Sequence, residues 1–159
     1  ANAPRTPVLP RALSGHTLTV DGQTVDIRGT TGALAHRPYA WIPSLKAVVG
    51  NIGVFGTGTH VWTADTQTAA ERSAWVAQLD EMAALQPTLV VPGHMPAGTA
   101  LDVGNLAYTK GYLQAFEKNA AATQTGAELI EAMKKAYPSA ALGVALDIGA
   151  KVNKGEMKW

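Results

Sequence analysis

The sequence predicts an α/β protein: one mixed β layer with helices packed on a single face. Three observations carry that expectation. Alternating polar and apolar residues flank an Asp21-Gly22 pair, two later segments open with a Thr-x-x-Glu capping box, and a short apolar run, Leu89-Val-Val91, lies between helical stretches. Strands followed by helix–strand–helix build a sheet that helices cover from one side.

Taken in order, residues 1–13 carry Pro4, Pro7 and Pro10, which no helix can run through, and they read as an extended arm that connects from a preceding element. Residues 14–159 form the domain. His16 to Val20 and Gln23 to Ile27 are the two strands of a hairpin turned at Asp21-Gly22, and a loop rich in Gly, Thr and Ala runs from Gly29 to Ala35. Tyr39 to Ile42 ends at Pro43-Ser44, and Ala47 to Val49 runs into Gly50-Asn51, so both are strands. From Ile52 to Trp62 the glycines Gly53, Gly56 and Gly58 predict a loop with some strand character.

Helices dominate from there. Thr68 and Glu71 cap a helix whose buried side is Trp75, Leu79, Met82 and Ala83, stopped by Pro87, with Asp65 just ahead of it as a further cap and Asp80 on its solvated side. Val103 to Ala121 predicts a second helix with Leu106, Leu113 and Phe116 on one face. Thr125 and Glu128 cap a third, ended by Pro138, and a fourth runs from Ser139 toward Ala150, weakened by Gly143 and Gly149.

Composition excludes several functions. A chain of 159 residues suits one domain, and 47% hydrophobic against 16% charged residues supports a packed core. The net charge of +1 gives no electrostatic reason to expect nucleic acid or an anionic membrane as partner, and Lys151, Lys154 and Lys158 form a solvated tail without interleaved aromatics. No cysteine is present, which removes disulfides, thiolate metal sites and cysteine nucleophiles. No apolar run approaches the ~20 residues needed to span a bilayer. Ala1-Asn2-Ala3-Pro4 shows no basic-then-apolar export pattern.

The chemistry must come from few residues. The four histidines, His16, His36, His60 and His94, are too far apart in sequence for two of them to clamp a metal from one element. There is no GxSxG elbow and no phosphate loop, and Gly53-Val-Phe-Gly56-Thr-Gly58 lacks the strand–helix setting of a dinucleotide fingerprint. His94 follows an apolar strand and a Pro-Gly break, which sets it at the carboxyl edge of the sheet, where α/β folds place ligands. Chemistry alone leaves it either a ligand or an ordinary loop residue.

The ordered set Trp41-Ile-Pro-Ser-Leu-Lys-Ala-Val-Val-Gly50-Asn51, Gly58-Thr-His60-Val-Trp62, Trp75 with Leu79-Asp80 and Leu85, and Leu89-Val-Val-Pro-Gly-His94 resembles the second half of the metallo-β-lactamase superfamily. The resemblance spans residues 16–95, and the helical tail is similar to that of a bacterial subgroup of hydrolase-like members. It implies half of an αβ/βα sandwich and, as parent activity, zinc-dependent hydrolysis of an ester, amide or thioester on a small-molecule substrate. By the same resemblance His94 is a metal ligand, Asn51 stands where the family has its bridging aspartate, and His36 lies near the place of another ligand histidine, which falls at Thr30 or Thr31. His60 occupies a loop in which the family often carries a histidine beside the site that binds no metal, and it reads either as a substrate-side acid or hydrogen-bond donor or as a surface or packing histidine. The family's HxHxDH loop belongs to the other half and has no counterpart here.

A neutral amide binds zinc poorly and does not bridge two cations, so the metal site implied for this chain is incomplete. Two functions are therefore expected: a hydrolase half whose site another segment or chain finishes, or an inactive module that binds a partner or oligomerises. Either requires that the sheet face, assigned to Val20, Ile27, Trp41, Val49 and Val90, be covered by a homo-oligomer or by a complementing N-terminal half. The compartment is left open between bacterial periplasm and cytoplasm.

Overall fold

The hairpin turn sets the register of everything that follows. Asp21 and Gly22 both have positive φ, 49° and 76°, the backbone that a two-residue turn between twisted strands requires. Val20 therefore pairs with Gln23, and β1 (Thr17–Val20) runs antiparallel to β2 (Gln23–Arg28). The computed structural model describes residues 6–159. Of the predicted arm, residues 1–5 lie outside the described residues, and Thr6 to Leu13 form neither helix nor strand and are exposed.

β3 (Tyr39–Ile42) pairs antiparallel with β2 and with β4 (Ala47–Val49), and β5 (Leu89–Val91) joins β4 in parallel. The sheet order is β1-β2-β3-β4-β5. The single parallel pair needs a crossover, and α1 (Ala69–Ala84) supplies it. Beyond β5 come α2 (Gly104–Ala122), α3 (Gly126–Ala136) and α4 (Gly143–Asn153).

Both capping boxes form as the sequence predicts, with Thr68 and Thr125 accepting from the backbone N–H of Glu71 and Glu128 and each glutamate reaching back. Asp65 does not cap α1; Thr68 already holds that position, and Asp65 is taken by Arg37. Nor is Asp80 merely solvated. Its carboxylate receives Lys110 Nζ at 2.6 and 2.9 Å and ties α1 to α2. Gly143 is the first residue of α4, where it costs little, and Gly149 lies where a Cβ would run into Thr63, so the helix needs glycine to approach that loop.

The two faces of the sheet differ. Strand register puts Asp26, Arg28, Tyr39, Trp41, Val48 and Val90 on one side. There Tyr39, Trp41, Val48 and Val90 join Trp75, Leu79 and Met82 of α1, Leu106, Leu113 and Phe116 of α2, and Leu129 and Met133 of α3 in one core. Tyr39 donates to Glu81 at 2.7 Å and Arg28 reaches the same carboxylate at 3.4 Å, which pins α1 over this side.

The other side carries Leu18, Val20, Val25, Ile27, Ala40, Ile42, Val49, Leu89 and Val91, with Ala47 and, at the turn, Gln23. Among the described residues no helix covers it; Leu18, Val20 and Val49 are exposed and the other large residues half-buried. Trp41 and Val90, expected on this open side with Val20, Ile27 and Val49, lie instead on the covered side. The alternation of each strand fixes faces only within that strand, and the pairing decides which faces coincide.

Candidate functional site

At the carboxyl ends of β4 and β5 the chain crosses over itself. Gly50 N–H donates to Val91 at 2.9 Å, Gly93 N–H to Val54 at 3.0 Å and Gly56 N–H to the carbonyl of His94 at 2.7 Å. Gly93 rests directly on the backbone of Asn51, where any Cβ would collide with the Asn51 carbonyl. Asn51 itself has φ 46°, a left-handed backbone that asparagine tolerates better than most residues. The Gly50-Asn51 and Gly93-His94 corners are thus neighbours, and both follow the carboxyl ends of β4 and β5.

The His94 ring is exposed and packs at 5.4 Å on Phe55. The Asn51 amide makes one long contact, 3.5 Å to the Pro38 carbonyl. That contact brings the 36–38 segment beside Asn51, yet His36 turns elsewhere: its Nε2 lies 3.9 Å from Asp65. His60 is 3% exposed, and its Nδ1 sits 3.0 Å from the Tyr112 hydroxyl with the rings edge-on. Burial, with Lys134 as a lesser cause, pushes the His60 pKa below its ordinary value, so the ring is held neutral. Tyr108 beside it donates to the Thr59 carbonyl at 2.6 Å, and burial pushes its own pKa up to about 12. His16 precedes β1 and meets Thr30 at 3.4 Å, away from the bonding partners of the other three.

Arg37 was not singled out by the sequence, and it holds this region together. Its side chain is fully buried and stacks 3.8 Å over the Trp75 ring. The guanidinium donates to the carbonyls of Ile52 and Trp62 and pairs with Asp65. One cation thereby fixes both ends of the 52–62 loop. Burial lowers the Arg37 pKa, and Asp65 opposes that shift. A single arginine between His36 and Pro38 has no periodic partner, so no sequence signal marks it.

A catalytic zinc takes about three protein ligands and an open position. Among the described residues no group of three His, Asp or Glu lies close enough to hold a metal ion. His94 borders Phe55, Asn51 offers only an amide, and His36 faces a carboxylate already committed to Arg37. The donors among the described residues do not fit a zinc site.

No family model matches the sequence, and no curated protein matches it. Among solved structures the chain is similar to a metallo-beta-lactamase family protein from Thermus thermophilus, with a TM-score of 0.56 at 16% identity over 96% of this chain and 49% of that one. A metallo-beta-lactamase from Pontibacter korlensis matches with a TM-score of 0.47 at 18% identity, over 64% of this chain and 46% of that one. The chain spans about half the length of these structures. Its mixed sheet and flanking helices resemble part of a metallo-β-lactamase-like sandwich, without an intact metal-binding motif among the described residues.

Proposed function

We propose that this chain is one layer of a metallo-β-lactamase-type hydrolase-like protein, and that hydrolysis of an ester, amide or thioester belongs to the two-layer assembly rather than to this layer. The observation that carries the reading is the position of His94. It stands exposed at the carboxyl end of β5, beside Asn51, with its imidazole free of any protein hydrogen bond among those described. A layer docked on the open sheet face can bring further ligands beside His94, with the Asn51 amide as a neutral group from this side and His36 near it in sequence but turned toward Asp65. His60, held on Tyr112, enters as a hydrogen-bonding residue of the loop rather than as a metal ligand.

A second reading, an inactive partner-binding module, is favoured by the amide at Asn51, which cannot bridge two cations as a carboxylate does. Metal analysis of the isolated chain tests both, since each leaves the site on this chain incomplete. The isolated chain is expected to retain less than one zinc after dialysis against a mild chelator. Stoichiometric zinc lost in His94→Ala would show that the layer completes a site by itself and would sink the proposal. Asn51→Asp is expected to raise zinc affinity only slightly, because further ligands remain absent; a large gain measured by calorimetry would point to donors overlooked on this chain.

A further inference from the structure

One face of α2 follows the 55–60 loop. Asn105 Oδ1 accepts from the Thr57 N–H at 3.1 Å, the Thr109 hydroxyl accepts from the Phe55 N–H at 3.0 Å, and the Tyr108 hydroxyl donates to the Thr59 carbonyl at 2.6 Å. These residues and Tyr112 recur at helical spacing and so share a face. The first three bind backbone groups, which is what holding a loop requires. Tyr112 differs, because its hydroxyl lies 3.0 Å from a side-chain nitrogen, His60 Nδ1. A phenylalanine there would fill nearly the same space without reaching the imidazole.

We propose that Tyr112 is a positioning residue: it fixes His60 in the tautomer that carries its proton on Nε2, so that the loop presents a hydrogen-bond donor to the oxygen of a bound carboxylate or carbonyl group. This rests on the hydrogen-bonding role given to His60 above and names its donor atom and the ligand chemistry.

Hydrogen-bond satisfaction places the proton. The Tyr112 side chain is wholly buried, and burial pushes its pKa up, so the hydroxyl keeps its hydrogen. The Val61 backbone N–H reaches the phenolic oxygen and occupies one of its lone pairs. Among the described side chains His60 Nδ1 is the one partner of the hydroxyl. With the imidazole proton on Nδ1, that nitrogen would donate to Tyr112 and leave the phenolic hydrogen without an acceptor, a state buried polar groups rarely adopt. Tyr112 therefore donates, Nδ1 accepts, and the proton of the neutral ring sits on Nε2.

The ring itself is held in place. His60 N–H donates to the Ala141 carbonyl and Ala141 N–H to the Gly58 carbonyl, both at 2.8 Å, which clamps the main chain that carries the ring. Tyr112 meets the imidazole edge-on and packs in turn on Tyr137 at 4.8 Å. His60 is buried, yet its Nε2 has no partner among the described residues and is not sealed from solvent. A fixed donor in that setting is matched by an acceptor from outside the chain. Lys134 adds its positive charge nearby, which suits a carboxylate oxygen and opposes a cation. Nε2 in this tautomer also has no lone pair to offer a metal ion. His94 is the converse, an exposed ring with no hydrogen bond among those described to set its tautomer.

Heteronuclear NMR of the chain carrying isotope-labelled histidine reads the tautomer at neutral pH. The expected result for His60 is a protonated Nε2 and an unprotonated, hydrogen-bonded Nδ1. A proton on Nδ1, or an even mixture of tautomers, would overturn the proposal whatever any variant does. Tyr112→Phe is expected to keep its helical circular dichroism and to move the His60 Nδ1 resonance toward that of a mixture. A resonance that stays put in the folded variant would show that Tyr112 does not set the tautomer. Sodium acetate, titrated at constant ionic strength, is expected to shift the Nε2 proton signal saturably, and the absence of a shift would overturn the donor role. None of these failures touches the layer reading, which rests on His94 and on the metal content of the isolated chain. Stoichiometric zinc there would sink that reading with the His60 tautomer unchanged.

Discussion

Val48 and Val49 are consecutive residues of one strand, yet Val48 is wholly buried under the helices and Val49 is 37% exposed on the opposite side. The same contrast holds across the sheet. On the covered side Tyr39, Trp41, Val48 and Val90 join side chains from α1, α2 and α3 in one core. On the open side an equally apolar set is left exposed at Leu18, Val20 and Val49 and half-buried at Val25, Ile27, Ile42, Leu89 and Val91. The comparison separates two settings for an apolar residue. One side is apolar and buried beneath the helices; the other is as apolar and is only partly buried by the described residues. Scattered apolar residues on a surface need no explanation, but a continuous uncharged sheet face does.

The sharpest way to break that comparison is to truncate the covered side. Trp75 is fully buried, carries Arg37 on its ring and donates from Nε1 to the Gly53 carbonyl at 2.7 Å. Trp75→Ala is expected to cost about 3–5 kcal/mol of folding stability, measured by urea unfolding. A loss near that of an exposed residue would mean that the helix layer is not where stability resides.

Next in size is the ion pair beneath the loop. Asp65→Ala leaves the buried Arg37 cation without its carboxylate, and a destabilisation of about 2–3 kcal/mol is expected, below the range for fully buried pairs because Asp65 is partly open to solvent. Adding Arg37→Met to Asp65→Ala is expected to recover part of it, since the uncompensated charge is then gone. If the double variant is no more stable than the single one, the guanidinium's bonds to Ile52 and Trp62 matter more than its charge.

Acid sharpens the comparison at the far end of the covered side. His60 is neutral in the fold with a depressed pKa. Above the ordinary histidine pKa of about 6.5 the ring is neutral in both states and carries no penalty. As pH falls below that, the unfolded chain takes up the proton first, so stability declines until the folded pKa is reached. Thermal melts from pH 7.5 to 5 should show this decline, and His60→Asn should flatten it. An equal slope in the variant would assign the effect to other groups.

The smallest effect belongs to the open side. Val49→Thr is expected to change the folding stability of the chain by no more than about 0.5 kcal/mol, while Val48→Thr, one residue earlier, costs more than about 1 kcal/mol. Equal losses at the two positions would erase the distinction between the faces.

Much of this layer was legible from local signals. The Asp21-Gly22 pair fixed a turn, Thr68 with Glu71 and Thr125 with Glu128 fixed two helix starts, and Leu89-Val-Val91 between prolines fixed a buried strand, because each signal acts through residues a few positions apart. The neighbouring of Asn51 and Gly93-His94 was legible only through resemblance, as the two corners lie far apart in sequence. Arg37 and its pairing with Asp65 were not legible at all. A buried cation is chosen by whatever carbonyls and carboxylate converge on it, and those come from Ile52, Trp62 and Asp65 only once the loop has closed.

By itself the sequence determined which segments are strands and helices, that the sheet is mixed, and that the histidines are too few and too dispersed for a metal cluster on one element. It did not determine which apolar residues share a face. Trp41 and Val90 read as companions of Val20, Ile27 and Val49, and only the register of β3, β4 and β5 sends them to opposite sides. Alternation repeats every two residues and carries no information about the neighbouring strand, so a shift of one residue in pairing exchanges the two faces. The tertiary structure decided that, and with it which face lies buried beneath helices and which is left open.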